Sequence, residues 1–174
     1  MKSLFKLCAS ALCLMAFSPI GAQTDVEEEG VAAAPDQSIP ETPVVLAGQT
    51  IQGRVLDVMS GETFTMNTPD NQVIEVWLAE IAAPAYGQRH WAASTQALAD
   101  KIIGNEVTIL AISQRDLEKG SMQLISQVYL GDRWINREMV AEGMAWHSPE
   151  YLQSDELSAA EYQAKEMQLG IWAE

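Results

Sequence analysis

Histidines and cysteines are scarce in this chain, and their spacing argues against most of the chemistry they could do. The only histidines, His90 and His147, lie far apart, and no cysteine falls between them. A structural zinc site needs about four N or S ligands, and a Ser–His–Asp relay needs its base flanked by nucleophile and acid. Neither pattern is spelled here. His90, beside Trp91, is expected to open a helix and stay exposed, and His147 to cap or pack near Trp146. Cys8 and Cys13 both fall in an N-terminal apolar run, which leaves no cysteine in the rest of the chain for a disulfide, thiol catalysis or Cys-bound zinc. Among the carboxylates, one stands in a turn, Ser60-Gly61-Glu62. A turn carboxylate can orient water or help hold a hard cation. A lone one is more often an ordinary turn acid.

The charge balance narrows the partners. The formal net charge is −14. Such a field repels phosphate backbones at long range. Nucleic-acid binders carry a basic patch or stripe. Here the nearest basic pairs are Arg133 with Arg137 and Arg89 with His90. Nucleic acid is therefore a disfavoured partner. The acidity serves solubility or attracts cationic partners and divalent ions.

Three regions follow from composition. Residues 1–22 have the layout of a secretory signal peptide: Lys2 and Lys6, the apolar run Leu7 to Phe17, Pro19, and small residues Gly21-Ala22. The run is too short to span a bilayer comfortably. A periplasmic or secreted location is expected, with no transmembrane segment in the mature chain. Residues 23–49 read as an acidic Pro/Ala-rich linker, with Glu27-Glu28-Glu29, Ala32-Ala33-Ala34, Pro35, Pro40 and Pro43. Such a composition buries too little apolar area to offset its ordering entropy, so disorder is expected. Residues 50–174 form the ordered domain.

Within that domain, period-two runs predict strands over 51–58, 63–68, 73–81, 106–112 and 123–130. Ser60-Gly61-Glu62 and Pro69-Asp70-Asn71 supply turns. Residues 88–103 read as a helix with Trp91, Thr95, Leu98 and Ile102 inward, ended by Gly104-Asn105. A short helix covers 136–143. The last covers 155–169, capped by Asp155, with Leu157, Ala160, Ala164 and Met167 inward. The fold class is α+β: a five-stranded OB-type β-barrel with about three helices.

That order of elements resembles the staphylococcal-nuclease family. Gly53-Arg54-Val55 through Ser60-Gly61-Glu62-Thr63 resembles the family's opening strand and its Asp-Gly-Asp-Thr turn. Trp77-Leu78-Ala79-Glu80-Ile81-Ala82-Ala83-Pro84-Ala85-Tyr86-Gly87-Gln88 resembles the segment Arg-Leu-Ala-Gly-Ile-Asp-Ala-Pro-Glu-Arg-Gly-Gln. Val128-Tyr129-Leu130, Asn136, Met139-Val140, Gly143-Met144-Ala145-Trp146 and Leu169-Gly170-Ile171-Trp172 continue it to the C-terminus.

The resemblance implies calcium-dependent phosphodiester hydrolysis by two arginines, a glutamate and metal-binding aspartates. Arginine suits the task because its planar fork stays charged and grips two phosphate oxygens. Carried over residue by residue, those groups are replaced. The turn aspartates correspond to Ser60 and Glu62, and the first arginine to Trp77. The second calcium aspartate corresponds to Ala82 and the general base to Ala85. The second arginine falls on Gln123 or Ser121. No catalytic residue is therefore assigned, and Glu62 is a weak candidate for metal. Glu62, Trp77, Ala82 and Ala85 are the candidates for a ligand-binding cleft. An aromatic face in place of a cation suits a peptide, a sugar or another apolar ligand.

The expectation is an exported, non-catalytic binding or accessory module without a cofactor, whose partner is an envelope protein or a glycan. The alternative is a divergent metal-dependent nuclease that uses Ca2+ and draws on Arg89, Arg115, Glu80 and Glu62.

Overall fold

A computed structural model describes residues 47–116, 122–149 and 152–173. The signal and most of the linker expected from the sequence lie outside the described residues.

Five strands close into a barrel. They are β1 (Thr50–Val58), β2 (Thr63–Asn67), β3 (Val73–Leu78), β5 (Glu106–Asp116) and β6 (Met122–Leu130). β1 lies between β2 and β5, all neighbours are antiparallel, and a parallel pairing of β3 with β6 shuts the ring. The register of β1 against β2 slips between Val55 and Asp57, and that of β5 against β6 between Ala111 and Ser113. Slips of this kind sharpen the bend of a strand, which helps a short barrel to close. Side chains alternate as the pleat demands. Phe64, Met66, Ile74, Val76, Leu78, Val107, Ile109, Leu124 and Val128 fill the interior. Each of the larger ones contributes about 1.5–3 kcal/mol through burial.

Three helices cover the barrel: α1 (Trp91–Ile102), α2 (Ile135–Ala141) and α3 (Asp155–Glu166). α1 buries Ser94, Leu98 and Ile102. α2 buries Ile135, Asn136, Met139 and Val140, and α3 buries Leu157, Ala160 and Ala164. Asn136 ties α2 to the barrel: its side chain accepts from the Val128 N–H at 2.8 Å and donates to the carbonyls of Ala79 and Ser126 at 2.9 and 3.2 Å. Two-residue strands add local pairings, β4 (Ile81–Ala82) with β8 (Trp146–His147) and β7 (Arg133–Trp134) with β6.

Several boundaries differ from the sequence reading. The third strand stops at Leu78, because Glu80 adopts φ 59 and turns the chain into β4. α1 starts at Trp91 instead of position 88, because His90 holds φ 68. Ser154, not Asp155, caps α3, its Oγ accepting the Leu157 N–H at 3.3 Å. Met167 lies beyond that helix and is 68% exposed, so it is not part of the inner stripe. β5 runs on to Asp116 because β6 pairs with it along its whole second half.

Two glycines clasp the end of the domain. Gly143 and Gly170 lie back to back, and the Ile171 N–H donates to the Gly143 carbonyl at 2.8 Å. A Cβ on Gly143 would meet the Leu169 carbonyl oxygen at 2.2 Å, and one on Gly170 would meet the Gly143 carbonyl oxygen at 2.1 Å. Both also sit at positive φ, so only glycine fits.

Candidate functional site

β2, β3 and the turn into β4 converge on a cleft of about 200 Å³. Glu62 enters it from the turn before β2, Trp77 from β3, and Glu80 and Ala82 from the turn and β4. Arg115 and Ile125 reach it from β5 and β6, and Ser148 from beyond β8. Backbone pairing sets this convergence. Thr63 is opposite Trp77, Trp77 is opposite Ile125, and Gln123 is opposite both Glu75 and Arg115.

Glu62 is built into the wall. Its Oε2 accepts the Ala83 N–H at 2.7 Å, and its carbonyl accepts the Leu78 N–H at 2.8 Å. The carboxylate thus fastens the chain after β4 to the barrel. Trp77 is held from the side: its Nε1–H donates to Glu75 Oε1 at 2.7 Å, and Gln123 Nε2 donates to the same oxygen at 2.5 Å. This Trp–Glu–Gln group was not singled out in the sequence. Its only trace there is that Glu75 stands two residues before Trp77, on the same face of a strand.

Glu80 borders the cleft but turns its carboxylate elsewhere. It is 3% exposed, and its oxygens accept from Gln127 Nε2 at 2.8 Å and the Ser154 N–H at 2.9 Å. Of the cleft candidates, Glu62, Trp77 and Ala82 come together. Ala85 lies on an exposed turn, where its N–H donates to Gln88 Oε1 at 2.8 Å. Gln123 is nearly fully buried on β6, and Ser121 lies outside the described residues. Arg89 is exposed and does not line the cleft, whereas Arg115 does.

Neither histidine lines it, although His147 pairs with Ile81, which does. His90 is half-buried rather than exposed. The backbone N–H of His147 donates to Glu161 Oε1 at 3.1 Å, and its Nδ1 lies 3.2 Å from Ser158 Oγ.

The staphylococcal nuclease homologue model matches residues 62–174. The chain belongs to that family. It is similar to a protein described as an uncharacterized endonuclease from Haemophilus influenzae, with 35% identity over 70% of this chain and 66% of that protein. It is also similar to a micrococcal nuclease from Shigella flexneri, with 29% identity over 75% of this chain and 78% of the relative.

Calcium, the ion this staphylococcal nuclease homologue would take by family likeness, does not fit the cleft donors found among the described residues. Ca2+ takes six to eight oxygen ligands, several of them carboxylates. Among the described residues no group of three or more His, Cys, Asp or Glu could hold a metal ion. In the cleft, Glu62 already accepts a backbone N–H and both Glu80 oxygens are engaged.

Proposed function

We propose that this chain is an exported, non-hydrolytic member of its family, acting as a binding or accessory module of the cell envelope with a glycan or a protein as partner. One observation carries the reading: the cleft is lined by Trp77 and Ala82, while its carboxylates are spent on holding the walls. Hydrolysis of a phosphodiester needs cations on the non-bridging oxygens and a carboxylate free to orient water. Losing one preorganised charged donor commonly slows such a reaction about a hundredfold to a thousandfold, and the family's groups act as a unit. Trp77, Ala82, Ala85 and either Gln123 or Ser121 stand where the likeness places four of those groups. The N-terminal basic and apolar segment supports export.

The test is a nuclease assay on the purified mature chain, with DNA and RNA, with and without calcium, beside a glycan array. The expected result is no metal-dependent cleavage, and retention of a saccharide that is lost in Trp77→Ala. Calcium-dependent cleavage abolished by Glu62→Ala overturns the proposal.

A second reading has one observation in its favour. Arg115 lines the same cleft as Glu62, so a cation enters from β5 where β6 presents Gln123. In that reading the protein is a divergent metal-dependent phosphodiesterase. Cleavage that falls at least about a hundredfold in Arg115→Ala would establish it.

A further inference from the structure

We infer that a second groove, on the far side of Glu80 from the cleft, binds a cationic side chain, a lysine or arginine of a basic protein segment. The groove has a volume of about 340 Å³ and is lined by Tyr129, Trp134, Gln127, Leu152, Ser154 and Glu80. Its aromatic wall is a stacked pair, Tyr129 and Trp134, with ring centroids 6.5 Å apart and planes 20° from parallel. Leu152 remains 45% exposed beside it.

The wall is preorganised by a chain of hydrogen bonds. Trp134 Nε1–H donates to Gln127 Oε1 at 2.6 Å, Gln127 Nε2 donates to Glu80 Oε2, and the Ser154 N–H donates to Glu80 Oε1. The indole's one polar atom is therefore occupied, and the ring contributes its π-surface. Such a face attracts ammonium and guanidinium groups, most strongly when it belongs to tryptophan. The fold makes that contact once already, with Lys165 Nζ lying 4.4 Å from the centroid of Trp172.

The charge on this side is negative. Glu80 is nearly fully buried, and among the described residues no ion pair includes it. A buried carboxylate held only by neutral donors leaves a field that a cation would offset. Asp155 and Glu156 follow Ser154 directly, in the first turn of α3. Glu156 reaches the groove electrostatically: burial and then its charge push the Tyr129 hydroxyl above its ordinary value. The neighbouring cation, Arg133, is engaged by Glu138. With a formal net charge of −14, the molecule attracts cations at long range. A neutral sugar would gain from the rings but not from this field.

The site is tested on the full ordered domain by following the Trp134 indole N–H resonance during titration with a short acetylated, amidated peptide of alternating glycine and lysine. A saturable shift is expected at about millimolar peptide. The same peptide with norleucine in place of lysine should produce none, and the Trp77 indole should not move, which separates this groove from the cleft. Trp134→Ala should abolish the saturable response at Leu152 and Ser154 amides. Glu156→Gln, at an exposed helix position that leaves the fold intact, should weaken binding at least threefold or so. No saturable shift, an equal response to the norleucine peptide, or unchanged affinity in Glu156→Gln each overturns the inference.

Discussion

Gly61 and Ser94 compete for one small volume, and Gly61→Ala exposes it. A Cβ at position 61 would lie 1.8 Å from Ser94 Oγ and 2.9 Å from the Cβ atoms of Ser94 and Ala83. Ser94 is fully buried, and its hydroxyl donates to the Met144 carbonyl at 2.7 Å. The new methyl must therefore displace that hydroxyl or push α1 off the barrel. Breaking the hydrogen bond inside the protein costs about 1–3 kcal/mol. Overpacking adds about 1–3 kcal/mol. The sum is about 2–6 kcal/mol, a fall in Tm of roughly 8–24 °C at about 4 °C per kcal/mol for a domain of this size. Urea unfolding followed by tryptophan fluorescence measures the free energy directly. A double-mutant cycle with Ser94→Gly makes the mechanism specific. Ser94→Gly removes both the hydroxyl and its Cβ and alone costs about 2 kcal/mol from the lost bond and the helical glycine. In that background Gly61→Ala should cost less than half of what it costs in the wild type. Additive losses, or a Gly61→Ala protein within about 0.5 kcal/mol of wild type, would falsify the shared-volume argument.

Other expectations follow from single contacts. Glu62→Ala strands the Ala83 N–H and should lose about 1–3 kcal/mol in urea unfolding, whereas Glu62→Gln keeps an acceptor and should lose less than about 1 kcal/mol. Asn136→Ala removes three buried bonds at once and should lose at least about 3 kcal/mol, the largest loss of any polar substitution on α2. Glu138 gives a pH signature. Its hydrogen bond from Arg133 holds its carboxyl below the ordinary 4.5, despite partial burial, with Lys101 helping. As pH falls, the unfolded chain takes up the proton first, so this contribution is present above pH 4.5 and is lost on acidification through the folded value. Glu138→Gln should flatten the stability–pH curve on that acid limb. High salt should shrink the difference, because the pair is partly solvated.

The barrel was legible because its signals are local. Alternation in Thr63 to Asn67, the Ser60-Gly61-Glu62 turn and the helical spacing of Leu98 and Ile102 each specify an element without help from distant residues. What was not legible depends on partners far along the chain. Nothing near Glu80 announces a left-handed glutamate, and its position is fixed by Gln127 and Ser154, 47 and 74 residues away. The extension of β5 to Arg115 is likewise invisible locally, since the apolar run ends at Ile112 and only pairing with β6 carries the strand on. At the site, the convergence of Glu62, Trp77 and Ala82 could be anticipated from the family likeness. Arg115 could be suspected only as part of the divergent-nuclease alternative, because strand length decides which cations reach the cleft. Ser148, brought in by the β4–β8 pairing, left no signal.

The glycine clasp has a consequence for biogenesis. The Gly143 carbonyl receives its partner only when Ile171 is available, and the α2–α3 seam stays unlatched until then. A nascent chain still missing those residues lacks this bond, although α2 and α3 are already complete in its sequence. Assembly of this domain must therefore finish after synthesis has passed position 171, in whatever compartment the completed polypeptide then occupies.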